Sequence, residues 1–228
     1  MPGSSDAAAA TVSPSPASPN CPVSYPPTAG HVAYLSDEEL AASLQSAFRH
    51  HAPNEDIWLF AYGSLIWNPG MPFAESVPAR ISGYHRGLCM WSRHNRGTPE
   101  QPGLVLALDN GGSCPGIGFR LPIVDSDAHL ATLWKREMSL GAYRPSWLRC
   151  TLADGRRVRA LSFVIRRDSS AYAGQLDDAV FRHVLATASG HFGSTLEYVE
   201  KTVVALRAAG IPDRKLESLL QRCVGAGQ

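Results

Sequence analysis

Glycine and proline punctuate residues 57 to 122 so closely that only short apolar runs survive between them, and a chain broken at that spacing builds strands. The runs are Ile57 to Tyr62, Leu88 to Trp91, Gly103 to Leu108 and Ile117 to Leu121. Beyond them the period changes. Leu130, Leu133, Trp134 and Met138 recur at helical spacing within His129 to Gly141. Trp147 to Leu152 and Val158 to Ile165 flank Asp154-Gly155, which predicts a hairpin. Two amphipathic stretches follow: Leu176 to Ala188, striped by Leu176, Val180, Val184 and Ala188, and Leu196 to Ala209, striped by Leu196, Val199, Val203 and Leu206. Gly210 and Pro212 stop the second, and a short helix from Asp213 to Cys223 completes the chain. Strands early and helices late predict an α+β fold.

Order is expected to begin late. Residues 1 to 30 are rich in alanine, serine and proline, and Pro14, Pro16, Pro19, Pro22, Pro26 and Pro27 disfavour regular structure, so a disordered tail is expected there. Residues 31 to 228 then form a single domain, for which a chain of 228 residues with 44% hydrophobic content is sufficient. Ser36-Asp37-Glu38-Glu39 is a capping box, with Leu35 and Leu40 placed for a hydrophobic staple. The helix it opens, carrying Leu44, Ala47 and Phe48 on its apolar stripe, ends near His50.

Two segments stand out chemically. Glu137 lies four residues after Leu133, three after Trp134 and four before Gly141, so a carboxylate occupies the helix face that should be buried. Desolvation raises a carboxylate's pKa and makes it a better proton acceptor, whereas leaving it unpaired in a core costs several kcal/mol, roughly, on transfer arguments. Its structural alternative is an ion pair with Arg136, Lys135 or a more distant arginine, and spacing alone leaves both open. The other segment is Tyr62-Gly63-Ser64-Leu65, where a buried strand runs into a glycine turn and backbone can approach a ligand closely. Neither the phosphate-loop nor the dinucleotide glycine spacing occurs there, and Ser64 lacks the flanking glycines of a nucleophile elbow, so it reads as a binder.

Taken in order, Trp58-Leu59-Phe60-Ala61-Tyr62-Gly63-Ser64-Leu65-Ile66-Trp67-Asn68-Pro69, Gly83-Tyr84-His85-Arg86, Ser92, Arg96-Gly97-Thr98, Pro102-Gly103-Leu104, Trp134-Lys135-Arg136-Glu137-Met138 and Gly141-Ala142-Tyr143 resemble the ChaC family of γ-glutamylcyclotransferases. The likeness spans about residues 36 to 224 and includes Gly193-Ser194-Thr195-Leu196-Glu197-Tyr198, where Thr195 replaces the family's more usual asparagine. The resemblance implies a mixed, barrel-like sheet wrapped by helices, with the site at the barrel mouth. It implies cleavage of glutathione to 5-oxoproline and cysteinylglycine without metal or organic cofactor. It assigns Glu137 as the acid/base residue and Tyr62, Gly63, Ser64, Leu65 and Tyr143 as substrate contacts. Two other readings remain open: action on a different γ-glutamyl amine or amino acid, and a non-catalytic binding or regulatory protein on the same fold.

The rest of the sequence narrows the partners. A net charge of +1 provides no field to steer nucleic acid or an acidic membrane, and no run approaches the ~18 apolar residues of a membrane span. With no secretory signal pattern, the expected location is cytoplasmic, as a monomer or homodimer acting on a small molecule. Cys21, Cys89, Cys114, Cys150 and Cys223 are scattered and odd in number, which suggests neither a disulfide framework nor a zinc site. His50 and His51 are expected to complement a helix dipole rather than hold metal. Arg93, His94 and Arg96 are cationic candidates for substrate carboxylates, kept apart from the catalytic set because such clusters are usually only solvated.

Overall fold

The computed structural model describes Tyr25, Pro27 and residues 34–52, 55–122 and 126–224. The expected tail lies outside the described residues except for Tyr25 and Pro27. Tyr25 is not detached: its hydroxyl donates to the Pro102 carbonyl and its ring meets His183 edge-on at 4.7 Å.

The architecture is α+β. Helix α1 (Asp37–Phe48) leads to β1 (Trp58–Ala61), a single 3₁₀ turn (Ser64–Ile66), and two long strands, β2 (Glu75–Ser92) and β3 (Gly103–Arg120). Helix α2 (Ser126–Met138) is followed by the hairpin β4 (Tyr143–Leu152) and β5 (Arg157–Ile165), then α3 (Asp178–Thr187). The short pair β6 (Ser189–Gly190) and β7 (Gly193–Ser194) precedes α4 (Thr195–Ala208) and α5 (Arg214–Val224). Strands β1-β3-β2-β4-β5 close into a barrel, sealed by parallel pairing of Trp58 with Ala160 and Leu59 with Leu161. Closure removes the sheet edges that would otherwise present unpaired backbone.

The two faces of the barrel strands bury different partners, as the two-residue period of a strand requires. Trp58, Phe60, Ile81, Cys150, Leu152 and Ala160 fill the barrel interior. Leu59, Ala61, Phe119, Leu161 and Phe163 face outward, under Leu40 of α1 and Leu130, Leu133, Trp134 and Met138 of α2. The far halves of β2 and β3 carry Leu88, Trp91, Leu104 and Leu106 against α3, α4 and α5.

One expectation needs correction. Gly103 to Leu108 and Ile117 to Leu121 are not separate strands; both belong to the 18-residue β3, paired along its length with the equally long β2. The register shifts between Ser82 and Tyr84, where Gly83 has φ 86° opposite Gly111 and Gly112 at φ 96° and 78°. Left-handed glycines let the paired strands bend without ending, so one hairpin serves both barrel and helical layer. The Asp154-Gly155 turn forms as expected, with Gly155 at φ 91°.

Helix α1 opens on the expected capping box: Ser36 accepts from the Glu39 N–H, and Glu39 accepts from the Ser36 N–H. It ends at Phe48, so His50 and His51 lie past its last turn, which corrects the dipole assignment. The His51 ring instead stacks on Trp147 at 5.0 Å and lies 3.7 Å from Glu55.

Candidate active site

Where β1 leaves the barrel, the chain turns through Tyr62 and Gly63 into the 3₁₀ turn. The first N–H to close a hydrogen bond there is that of Ile66, to the Gly63 carbonyl at 3.0 Å. The preceding amides, of Ser64 and Leu65, have no partner within so short a helix, because the first N–H groups of any helix are orphaned. Gly63 accommodates a close approach: a Cβ there would stand 3.1 Å from the Tyr198 hydroxyl, a tight contact.

Glu137 reaches the same place from the last turn of α2. Trp134 and Met138 anchor that turn in the core, leaving Glu137 at its edge with a side chain only 14% exposed. The Arg136 Nε lies 3.1 Å from its carboxylate. Arg136 also donates to the Asn68 carbonyl at 2.7 Å and to the Ser64 hydroxyl at 3.0 Å, bolting α2 to the turn. The ion-pair alternative for Glu137 is thus present, with Arg136 as the partner. Burial pushes its pKa up and the Arg136 charge pulls it down, and burial is the larger effect.

Three tyrosines crowd this carboxyl. Tyr143 enters on the first residue of β4, and Tyr62 sends its hydroxyl to the Phe163 carbonyl at 2.8 Å. Burial and the Glu137 charge hold both phenols well above the ordinary tyrosine range. Tyr198, on the inner face of α4, accepts the Leu106 N–H at 3.2 Å and is pushed up to about 12, chiefly by burial. All therefore stay protonated near neutral pH; the Tyr62 proton is committed to the Phe163 carbonyl, whereas the Tyr143 and Tyr198 hydroxyls can donate toward developing negative charge.

Glu137, Tyr62, Gly63, Ser64, Leu65 and Tyr143 thus line one cavity of about 830 Å³, which also receives Arg136, Tyr198, Arg93, His94 and Arg96. That size suits a small organic ligand enclosed over most of its surface. Reading from sequence missed Arg136 and Tyr198 as site residues. Tyr198 had a signal, standing among the buried positions Thr195, Val199 and Thr202 of α4, where a hydroxyl needs a partner. The Ser64 hydroxyl accepts a structural bond from Arg136 and keeps its own proton to donate. Arg96 is likewise structural in its contacts, with its N–H groups on the Phe192 carbonyl and its guanidinium 5.3 Å over the Tyr198 ring.

Thr195 is fully buried and ties two segments together. Its hydroxyl accepts the Leu104 N–H at 3.1 Å and donates to the Arg96 carbonyl at 3.2 Å. Thr195→Val keeps the shape but strands both groups, so it is expected to lower unfolding stability by about 1–3 kcal/mol in a urea titration. A change inside experimental scatter would show that water replaces the hydroxyl.

Among the described residues no group of three or more His, Cys, Asp and Glu is placed to hold a metal, and no helix is long and apolar enough to cross a membrane.

Fold and cavity together define a small α+β barrel protein in which a desolvated carboxylate and a glycine turn line one cavity. Residues 57–226 match the model of the ChaC-like protein family, and the chain belongs to that family. It is 37% identical over 185 residues to the glutathione-specific γ-glutamylcyclotransferase of Escherichia coli (strain K12), covering 81% of this chain and 80% of the relative. The glutathione-specific γ-glutamylcyclotransferase 1 of Rattus norvegicus is 26% identical over 186 residues, covering 79% and 83% of the two chains. A crystal structure of a yeast γ-glutamyl cyclotransferase specific to glutathione superposes with a TM-score of 0.69 at 22% identity, over 75% of this chain and 96% of the other, and so shares the fold.

Proposed function

We propose that this protein is a γ-glutamylcyclotransferase that cleaves glutathione into 5-oxoproline and cysteinylglycine. The observation that carries the reading is the buried Glu137 carboxyl, its proton affinity raised, in the same cavity as the Ser64 and Leu65 amides. The names of the relatives support glutathione as the substrate.

The reaction is intramolecular. The α-nitrogen of the γ-glutamyl residue attacks its own γ-carbonyl carbon, a five-membered ring closes, and the bond from that carbon to the cysteinyl nitrogen breaks. The attacking nitrogen passes from ammonium to amide and the departing one from amide to ammonium, so two protons leave the first and two arrive at the second. Glu137 accepts from the attacking nitrogen and delivers to the leaving one. With nucleophile and electrophile already tethered, the enzyme's part is to hold the folded, near-attack conformation. The Ser64 and Leu65 N–H groups, with the Tyr143 hydroxyl, supply preorganised donors for the oxygen that gains charge. Tyr62 and Gly63 shape the floor against which the glutamyl head rests. We place the reaction in the cytoplasm, where the buried thiols of Cys89, Cys114, Cys150 and Cys223 would remain reduced.

Incubating the purified protein with glutathione and measuring 5-oxoproline and cysteinylglycine by mass spectrometry tests reaction and substrate together. Absence of both products sinks the proposal, and preferential turnover of another γ-glutamyl donor in a panel would reassign the substrate.

The pH profile gives a sharper test. Activity needs Glu137 ionised, so kcat/KM should fall toward acid with an inflection above the ordinary carboxylate value of 4.5. Because Arg136 opposes the upward push, Arg136→Gln should move that inflection further toward neutrality. An acid limb that stays put would show that another group sets it.

A further inference from the structure

Four long-chain cations line the cavity: Arg93, Arg96, Arg136 and Lys201. Three are engaged. Arg136 pairs with Glu137 and binds Ser64 and Asn68. Arg96 donates to Phe192 and lies over the Trp67 and Tyr198 rings. Lys201 pairs with Glu197 at 2.6 Å. Arg93 is different: among the described residues it has no carboxylate partner, its one hydrogen bond is a long 3.4 Å donation to the Ser170 carbonyl, and its Nε is enclosed with no acceptor. A desolvated guanidinium N–H without an acceptor is costly, and the Arg93 side chain that carries it lines a ligand cavity. Its terminal nitrogens, which make only that one long bond among the described residues, are where an incoming carboxylate would bind, since arginine's planar fork matches that group.

Position indicates which carboxylate. Arg93 follows the last residue of β2 and lies against the segment 169–171 beyond β5, whereas Glu137 and Arg136 lie against the turn 64–68. The two groups share no hydrogen-bonding partner among the described residues. The reacting γ-carbonyl is held between Glu137 and the turn, so a group bonded elsewhere in the cavity is free to meet the departing half of the substrate. We propose that Arg93 binds the glycine carboxylate of glutathione and thereby selects γ-glutamyl donors whose leaving amine ends in a carboxylate. This rests on the cyclotransferase reading and deepens it. Arg93 is then a specificity residue that takes no part in proton transfer.

The test compares glutathione with its glycinamide, which has the same shape but lacks the terminal charge, in the parent protein and in Arg93→Met. The parent should prefer glutathione by about 10- to 100-fold in kcat/KM, the range expected of a charge-assisted bond. Arg93→Met should lose that factor on glutathione, mainly through KM, and change little on the glycinamide; Arg93→Lys should recover part. Equal losses on both substrates, or none on glutathione, would overturn the proposal. Calorimetric titration of both compounds into Glu137→Gln and into Glu137→Gln/Arg93→Met reads binding without turnover. If the parent is inactive, the cyclotransferase reading fails, while Arg93 is still judged by this titration: binding that prefers glutathione only when Arg93 is present supports it, and any other pattern overturns it.

Discussion

Glu137→Gln is expected to reduce kcat for 5-oxoproline formation by about 10³-fold or more while leaving KM for glutathione within a few-fold, because it removes the proton acceptor and keeps the side chain's size. The same substitution should stabilise the protein at neutral pH. Burial raises the pKa of the folded-state carboxyl above its ordinary value of 4.5, so the folded protein holds that proton more tightly than the unfolded chain. The stability this contributes is fully present below the unfolded pKa and is lost as pH rises through the folded one. Near pH 7 the native protein carries the full penalty of an ionised, desolvated carboxylate, about 1.4 kcal/mol for each pKa unit of separation. Glutamine carries none, and Arg136 still has the Asn68 carbonyl and the Ser64 hydroxyl. Thermal melts should therefore show Glu137→Gln above the parent at pH 7, with the gap closing as pH falls below 4.5. A variant that loses activity and also melts lower at pH 7 would mean that Glu137 is a structural pair whose loss distorts the site. Near-parental turnover would place the base elsewhere.

Glu137 was legible from sequence because helical periodicity fixes which face a residue occupies, and Leu133, Trp134 and Met138 define the buried face locally. The glycine turn was legible for a related reason: it follows directly on the apolar β1. Arg136 was harder to place, since neighbours in a helix do not face each other, and only its long side chain wraps back to Glu137 while reaching Ser64 and Asn68. Tyr198 comes from more than 130 positions beyond the turn it meets, a juxtaposition that no local pattern encodes. The same limit applies to barrel closure, which depends on parallel pairing of Trp58 with Ala160. The division of β3 into two expected strands had a different origin: Gly111 and Gly112 carry the signature of a chain end, yet Gly83 opposite them turns that signature into a bend. What stayed hidden was therefore long-range pairing and the difference between a break and a kink.

Replacement of Arg86 should have the largest effect on stability. Its side chain is 1% exposed, midway along β2, and joins three separate parts of the chain. The Nε donates to the Tyr62 carbonyl, at the entrance to the glycine turn; the two terminal nitrogens donate to Asp213 and to the Pro115 carbonyl of β3. Asp213 in turn caps α5, accepting the N–H groups of Lys215 and Leu216 at 3.1 Å. Arg86→Met leaves a largely buried carboxylate and two carbonyls without their donor, and breaking such a pair from one side typically costs about 3–5 kcal/mol. Urea denaturation should show that loss. It should also show a partial recovery, of at least about 1 kcal/mol, in Arg86→Met/Asp213→Asn, because the amide removes the uncompensated charge while its oxygen can still cap the helix. Recovery identifies the unpaired charge as the main cause, whereas a double variant no better than Arg86→Met would place the loss in the carbonyls. Because Arg86 also holds the backbone of Tyr62, KM for glutathione should rise in both variants with Glu137 still in place. A variant within 1 kcal/mol of the parent in stability, with KM unchanged, would show that neither the core nor the turn depends on Arg86.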